Sequence, residues 1–158
     1  MQKSLILAVG LVAAPASAAT ITITVPRVNV AEYHNPYVAV WVEPVGGGAA
    51  RTLAVWYDVD LRGAEPGTKW LADLRTWWRK GGRNLTLPAD GTSGMTRAPG
   101  AHRITIPSSL RAGSYTLYVE ATREGGGREI VSMPLTIPAA TGRAAGRTEL
   151  GSITLSAR

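Results

Sequence analysis

The chain has 158 residues, of which 45% are hydrophobic and 18% charged, with a formal net charge of +6 and no cysteine. The missing cysteine excludes disulfides, thiolate metal sites, iron–sulfur clusters and any Cys nucleophile. The basic balance favours anionic partners, and nucleic acid is set aside because the chain has no helix-turn-helix, zinc or RNA-binding signature.

Residues 1–18 read as a secretory signal peptide. Lys3 supplies the positive start, Ser4 to Ala14 is a small and apolar run, and Ala16-Ser17-Ala18 is a small-x-small cleavage site. The apolar run falls short of the roughly 20 residues that span a bilayer, so cleavage after Ala18 and a periplasmic location are expected. Residues 19–158 then make one domain, because about 140 residues suit a single hydrophobic core. Loss of Lys3 leaves sixteen basic residues against eleven acidic ones, a net of +5. Nine basic residues but three acidic ones lie between Arg62 and Arg111, so the positive field is concentrated there.

The first expected strand, Thr20 to Val25, alternates β-branched polar and apolar residues. Pro26 stops it. After the Asn35-Pro36 turn, a second strand covers Tyr37 to Glu43, with Tyr37, Ala39, Trp41 and Glu43 on one face and Val38, Val40 and Val42 on the other. A Gly-rich connection leads to a third strand over Arg51 to Tyr57. The period then changes: Trp70, Leu71, Leu74, Trp77 and Trp78 recur at three and four, predicting an amphipathic helix over about 68–80. Thr68 is its expected N-cap and Gly81-Gly82 ends it. Strands resume over Ala101 to Ile106, Ser114 to Thr122 and Glu129 to Ile137, where Pro134 predicts an edge or a bulge. A linker rich in Ala, Gly and Arg precedes a last strand over Glu149 to Ser156. About seven short strands with Gly/Pro turns predict an all-β fold, an immunoglobulin-like antiparallel β-sandwich with one inserted helix.

Between the helix and the strand that begins at Ala101 lies Asp90-Gly91-Thr92-Ser93-Gly94-Met95-Thr96, followed by Arg97-Ala98-Pro99-Gly100. Its small, hydroxylated, turn-forming residues predict an exposed loop. A match to Asp-x-x-(Ser/Thr)-Gly-x-(Ser/Thr) arises by chance in about one chain per hundred of this length. The spacing resembles the acceptor motif on which bacterial FAD:protein FMN transferases place FMN through a phosphoester to the last Thr. In that motif Ala usually stands where this chain has Met95. The resemblance implies that Thr96 supplies the acceptor hydroxyl. Gly94 would let the backbone approach the cofactor, Ser93 and Asp90 would shape the loop, and Arg97 would offset the phosphodiester charge. Trp77 and Trp78 offer an aromatic platform for the isoalloxazine ring, or cover the open edge of the sandwich. Trp41 and Trp56 sit in strands and are expected in the core.

Classical hydrolase chemistry is not indicated. No Gly-x-Ser-x-Gly motif occurs, and the only histidines, His34 and His102, lack metal-ligand spacing. Both are expected to be satisfied surface or turn residues.

Leu110-Arg111-Ala112-Gly113-Ser114-Tyr115-Thr116-Leu117 resembles the entry to a late strand in bacterial Ig-like modules, with Tyr115 in a tyrosine-corner role. More widely, five segments in order resemble a bacterial family described only as predicted periplasmic proteins. They are Pro36 to Glu43, Arg51 to Tyr57, Lys69 through Arg79, the Ser-Gly-Met-Thr-Arg-x-Pro-Gly loop and Tyr115 to Ala121. The resemblance implies association with FAD:protein FMN transferases and with membrane proteins bearing PepSY domains, and hence extracytosolic electron transfer. The function expected is a periplasmic carrier of covalent FMN at Thr96 that exchanges electrons with a membrane redox partner, an electron carrier more than a free-standing enzyme. The alternative is a non-catalytic Ig-like binding or structural module without cofactor.

Overall fold

The structure is a computed structural model that describes residues 18–138 and 141–157. The expected signal peptide lies, but for Ala18, outside these residues. The fold is the expected all-β sandwich with a small helical insert. Nine strands form two sheets: β1 (Thr20–Val25), β2 (Tyr37–Pro44), β3 (Arg51–Trp56), β4 (Ser93–Gly94), β5 (Gly100–Thr105), β6 (Gly113–Thr122), β7 (Arg128–Ile137), β8 (Gly142–Ala145) and β9 (Ser152–Ser156). The first sheet has the order β5-β1-β9-β8 and the second β4-β3-β2-β6-β7. All pairings are antiparallel except β3 with β4, which is parallel.

Side-chain alternation builds the core between the sheets. Ile21, Ile23 and Val25 of β1 and Ile153 and Leu155 of β9 pack against Val38, Val40 and Val42 of β2 and Leu117, Val119 and Ala121 of β6. The opposite face of β2 is buried as well. There Tyr37, Ala39 and Trp41 join Val55, Tyr57, Leu71, Leu74 and Trp77 in a second cluster. Both expected faces of β2 are therefore correct, and the helical insert is what keeps water off the outer one. Trp41 and Trp56 are buried as expected. Pro134 lies in β7, which is the edge strand where a missing N–H costs no ladder bond. Tyr115 donates its hydroxyl proton to the Arg111 carbonyl at 2.7 Å, the upstream backbone bond of a tyrosine corner.

The insert departs from the expected continuous helix over 68–80. It consists of a 3-10 segment, Gly67–Asp73, a short helix α1, Arg75–Arg79, and a 3-10 turn, Gly82–Asn84. Leu74, with ψ of 70°, breaks the first from the second. Thr68 is not the cap; Pro66 precedes the first turn, with no side-chain cap bond. The free N–H groups of α1 are met from the sheet instead. Glu120, fully buried on β6, accepts from Thr76 N–H at 3.1 Å and Trp77 N–H at 2.8 Å. Arg128 Nε donates to the same carboxylate at 2.6 Å, and its Nη2 donates to Thr76 Oγ1 at 2.8 Å. A buried carboxylate with three donors is satisfied rather than stranded.

Two strands were not expected. β4 falls in the motif loop and β8 in the Ala/Gly/Arg linker, and neither has the alternation that marks a half-buried strand. Both are held through the backbone, which carries a donor and an acceptor whatever the side chain.

Candidate functional site

The motif loop is anchored at both ends of its first half. Ala89 N–H donates to Ser93 Oγ at 2.9 Å, and Ser93 N–H donates back to the Ala89 carbonyl at 2.9 Å. This closes the turn through Asp90 and Gly91, where Gly91 has φ of 70°, a value that favours glycine. Val55 N–H then donates to the Thr92 carbonyl at 2.9 Å and Tyr57 N–H to the Gly94 carbonyl at 3.0 Å. The loop is thus stapled to the outer side of β3 and is less exposed than expected. Thr92, Ser93, Gly94 and Thr96 are half-buried, while Asp90, Gly91, Met95 and Arg97 are exposed.

Past β4 the chain turns to the end of the second sheet, where Thr96 lines a cleft of about 450 Å³. Tyr33, Tyr37, Trp70 and Arg123 line it too. These come from four places: the link before β2, the first residue of β2, the 3-10 segment of the insert and the end of β6. Tyr37 donates to the Gly67 carbonyl at 2.9 Å and to Asp58 Oδ2 at 3.3 Å. Burial, with the Asp58 charge beside it, pushes its phenol up to about 12, so it remains a protonated donor. Gly67 is required there, since a Cβ would sit 1.9 Å from the Asp58 carbonyl oxygen. Arg123 is 8% exposed and gives its guanidinium to Glu149 at 2.8 and 3.2 Å. The same guanidinium lies 5.6 Å from the Tyr33 ring centre, a cation–π contact that fixes this wall.

The expected site residues divide between two places. Thr96 alone lines the cleft. Ser93, Gly94 and Arg97 line a smaller depression of about 260 Å³ between β4 and β5, where Arg97 lies 5.4 Å over the Trp56 ring. Ser93 shapes the loop as expected. Asp90 has no side-chain hydrogen bond among the described residues, and the turn closes without it. Trp77 is corrected from platform to core: it is 1% exposed, and its indole N–H donates to Thr52 Oγ1 at 2.9 Å. Trp78 is half-buried against the same cluster and does not line the cleft.

The tryptophan that lines the cleft with Thr96 is Trp70, 36% exposed and expected from its period as part of the buried stripe. In a 3-10 turn, residues three apart eclipse one another. Leu71 and Leu74 therefore point to the sheet while Trp70 and Asp73 share the row that lines the cleft. Tyr33 and His34 were not singled out for the site either; the aromatic-polar run before Pro36 was the available signal. His34 lies 3.4 Å from Glu32 and 3.8 Å from Glu124. His102, on β5, is satisfied as expected, by the Ala98 carbonyl at 2.7 Å, though in a strand and not a turn. Among the described residues no cluster of three or more His, Asp or Glu is placed to hold a metal ion, and no helix is long and apolar enough to cross a membrane.

Thr96 has no side-chain hydrogen bond among the described residues, and with Tyr33, Tyr37 and Trp70 it lines a cleft of small-molecule size. Residues 18–152 match the family model described as Predicted periplasmic protein (DUF2271), and the chain belongs to that family. No curated protein and no solved structure matches the chain. The family description carries a location and no activity.

Proposed function

We propose that the protein is a periplasmic electron-transfer module that carries FMN covalently on Thr96. The observation that carries this reading is the position of Thr96: the last residue of the Asp-x-x-Ser-Gly-x-Thr motif lines the aromatic cleft. In the attachment, the Thr96 Oγ forms a bond to the FMN phosphorus of FAD and the pyrophosphate bond to AMP breaks. AMP leaves, and the hydroxyl proton passes to solvent. An FAD:protein FMN transferase performs the step, and the half-buried loop stapled to β3 presents the hydroxyl to it in one geometry. Flavin, once bound, supplies electron transfer; the chain supplies attachment, orientation and exclusion of water. The electron partner is a membrane redox protein, of the PepSY-domain type implied by the family resemblance.

Coexpression with a flavin transferase should add one FMN to the intact mass, and Thr96→Ala should abolish the addition. An unmodified mass beside a transferase shown to be active on another acceptor removes the reading and leaves a cofactor-free binding module.

A further inference from the structure

We propose that the cleft beside Thr96 is a non-covalent site for a neutral, planar heteroaromatic ring of the isoalloxazine class. In it Trp70 is the stacking residue, and the anionic end of the ligand stays outside. The proposal deepens the flavin reading and rests on it for the identity of the ring. The shape is argued from three aromatic side chains, Tyr33, Tyr37 and Trp70, around one opening. Of these Trp70 has the largest face and is 36% exposed, against 8% for Tyr37, while the half-buried Tyr33 already has the Arg123 guanidinium over its ring. Lys69 Nζ stands 5.5 Å from the centre of the Trp70 ring and restrains the indole without filling the cleft. His34 and Asn35 line the same space and offer hydrogen-bonding groups to ring nitrogens and carbonyls.

The polarity of the ligand follows from charge. Asp58, Asp73 and Glu124 line the cleft, whereas the one guanidinium there, that of Arg123, is engaged by Glu149. A phosphate dianion inside the cleft would meet three carboxylates and no free cation. The cationic side chains near the motif, Arg97 and Arg103, line the separate depression beyond β4. The ring therefore goes in and the phosphate stays at the Thr96 rim.

The test uses the full-length Thr96→Ala protein, which cannot be loaded covalently, titrated with riboflavin and separately with FMN. Tethering supplies an effective concentration of about a millimolar, so a free-ligand dissociation constant near 0.1 mM or below is the expected result, read as saturable quenching of flavin fluorescence. FMN should bind about threefold or more weakly than riboflavin at low salt, with the gap closing as salt screens the carboxylates. Adding Trp70→Ala should weaken riboflavin about fivefold or more, and Trp70→Phe should restore part of the loss. Thermal melting checks that these variants are folded. Absence of saturable quenching, tighter binding of FMN than of riboflavin, or an unchanged affinity in Trp70→Ala overturns the proposal. Failure of the mass addition alone, with riboflavin still bound through Trp70, leaves the ring site standing and removes only the covalent reading.

Discussion

At Gly94 the fold makes no demand for glycine. A Cβ there would meet Trp56 Cδ1 at 3.4 Å and Arg97 Nη2 at 3.5 Å, which is ordinary contact. Gly82 differs, because a Cβ would lie 2.6 Å from the Trp77 ring. Packing therefore does not fix glycine at position 94. Gly94→Ala should change unfolding free energy by no more than about 0.5 kcal/mol while lowering the fraction of protein that takes up FMN, as read by intact mass; full uptake would assign Gly94 no role in cofactor approach. Single residues were legible where a local bond decides their place. Ser93 closes a turn on its own neighbour, and Tyr115 bonds the backbone four residues upstream. Trp70 was not legible, because its side depends on the pitch of the backbone that carries it, and the apolar pattern of the insert fits a 3.6-residue period equally well.

Among the elements, one buried carboxylate ties the start of α1 to the sheet, beside the Trp77–Thr52 and Tyr37–Gly67 bonds. Glu120 takes two N–H groups of α1 and the Arg128 guanidinium with no exposure to water. Glu120→Ala leaves three donors without their acceptor and a charge without its partner, and should cost about 3–5 kcal/mol in urea unfolding. A loss below about 1 kcal/mol would mean that the cluster of Leu71, Leu74 and Trp77 secures the insert by itself. Strands with alternating apolar residues were readable in advance to within a residue or two, since one face of each is buried, except that the last begins at Ser152 and not at the expected Glu149. β4 and β8 were not, since Ser-Gly and Gly-Arg-Ala-Ala carry no such pattern and their place is fixed by partners far along the chain. The break at Leu74 was equally hidden, and the N–H groups that follow it at Thr76 and Trp77 are met by Glu120, some forty residues away.

For the whole molecule, the two-sheet architecture was legible because strand count, turn residues and the two-faced β2 agree. The closure of the sheets on each other was not. Beside the core, it is tied by Glu129 of β7, whose carboxylate accepts N–H bonds from Arg147, Thr148, Glu149 and Leu150, the segment that leads into β9. Burial raises its pKa, but the four backbone bonds outweigh that and hold it below the ordinary 4.5. A carboxylate lowered on folding adds stability that is present above 4.5 and is lost as pH falls through the folded-state value. Acid unfolding should therefore set in below about pH 4.5, and Glu129→Gln should be less stable at neutral pH with a shallower fall in acid; an unchanged acid transition would remove Glu129 as its origin. The pairing of β1 has a consequence for the order of folding. Its two neighbours are β5 and β9, so the strand nearest the N-terminus waits for Ser152–Ser156 before its second edge is covered. Contacts of such sequence separation form late and slowly. A chain still emerging from a ribosome therefore lacks the strand that completes its first sheet until its last residues are made.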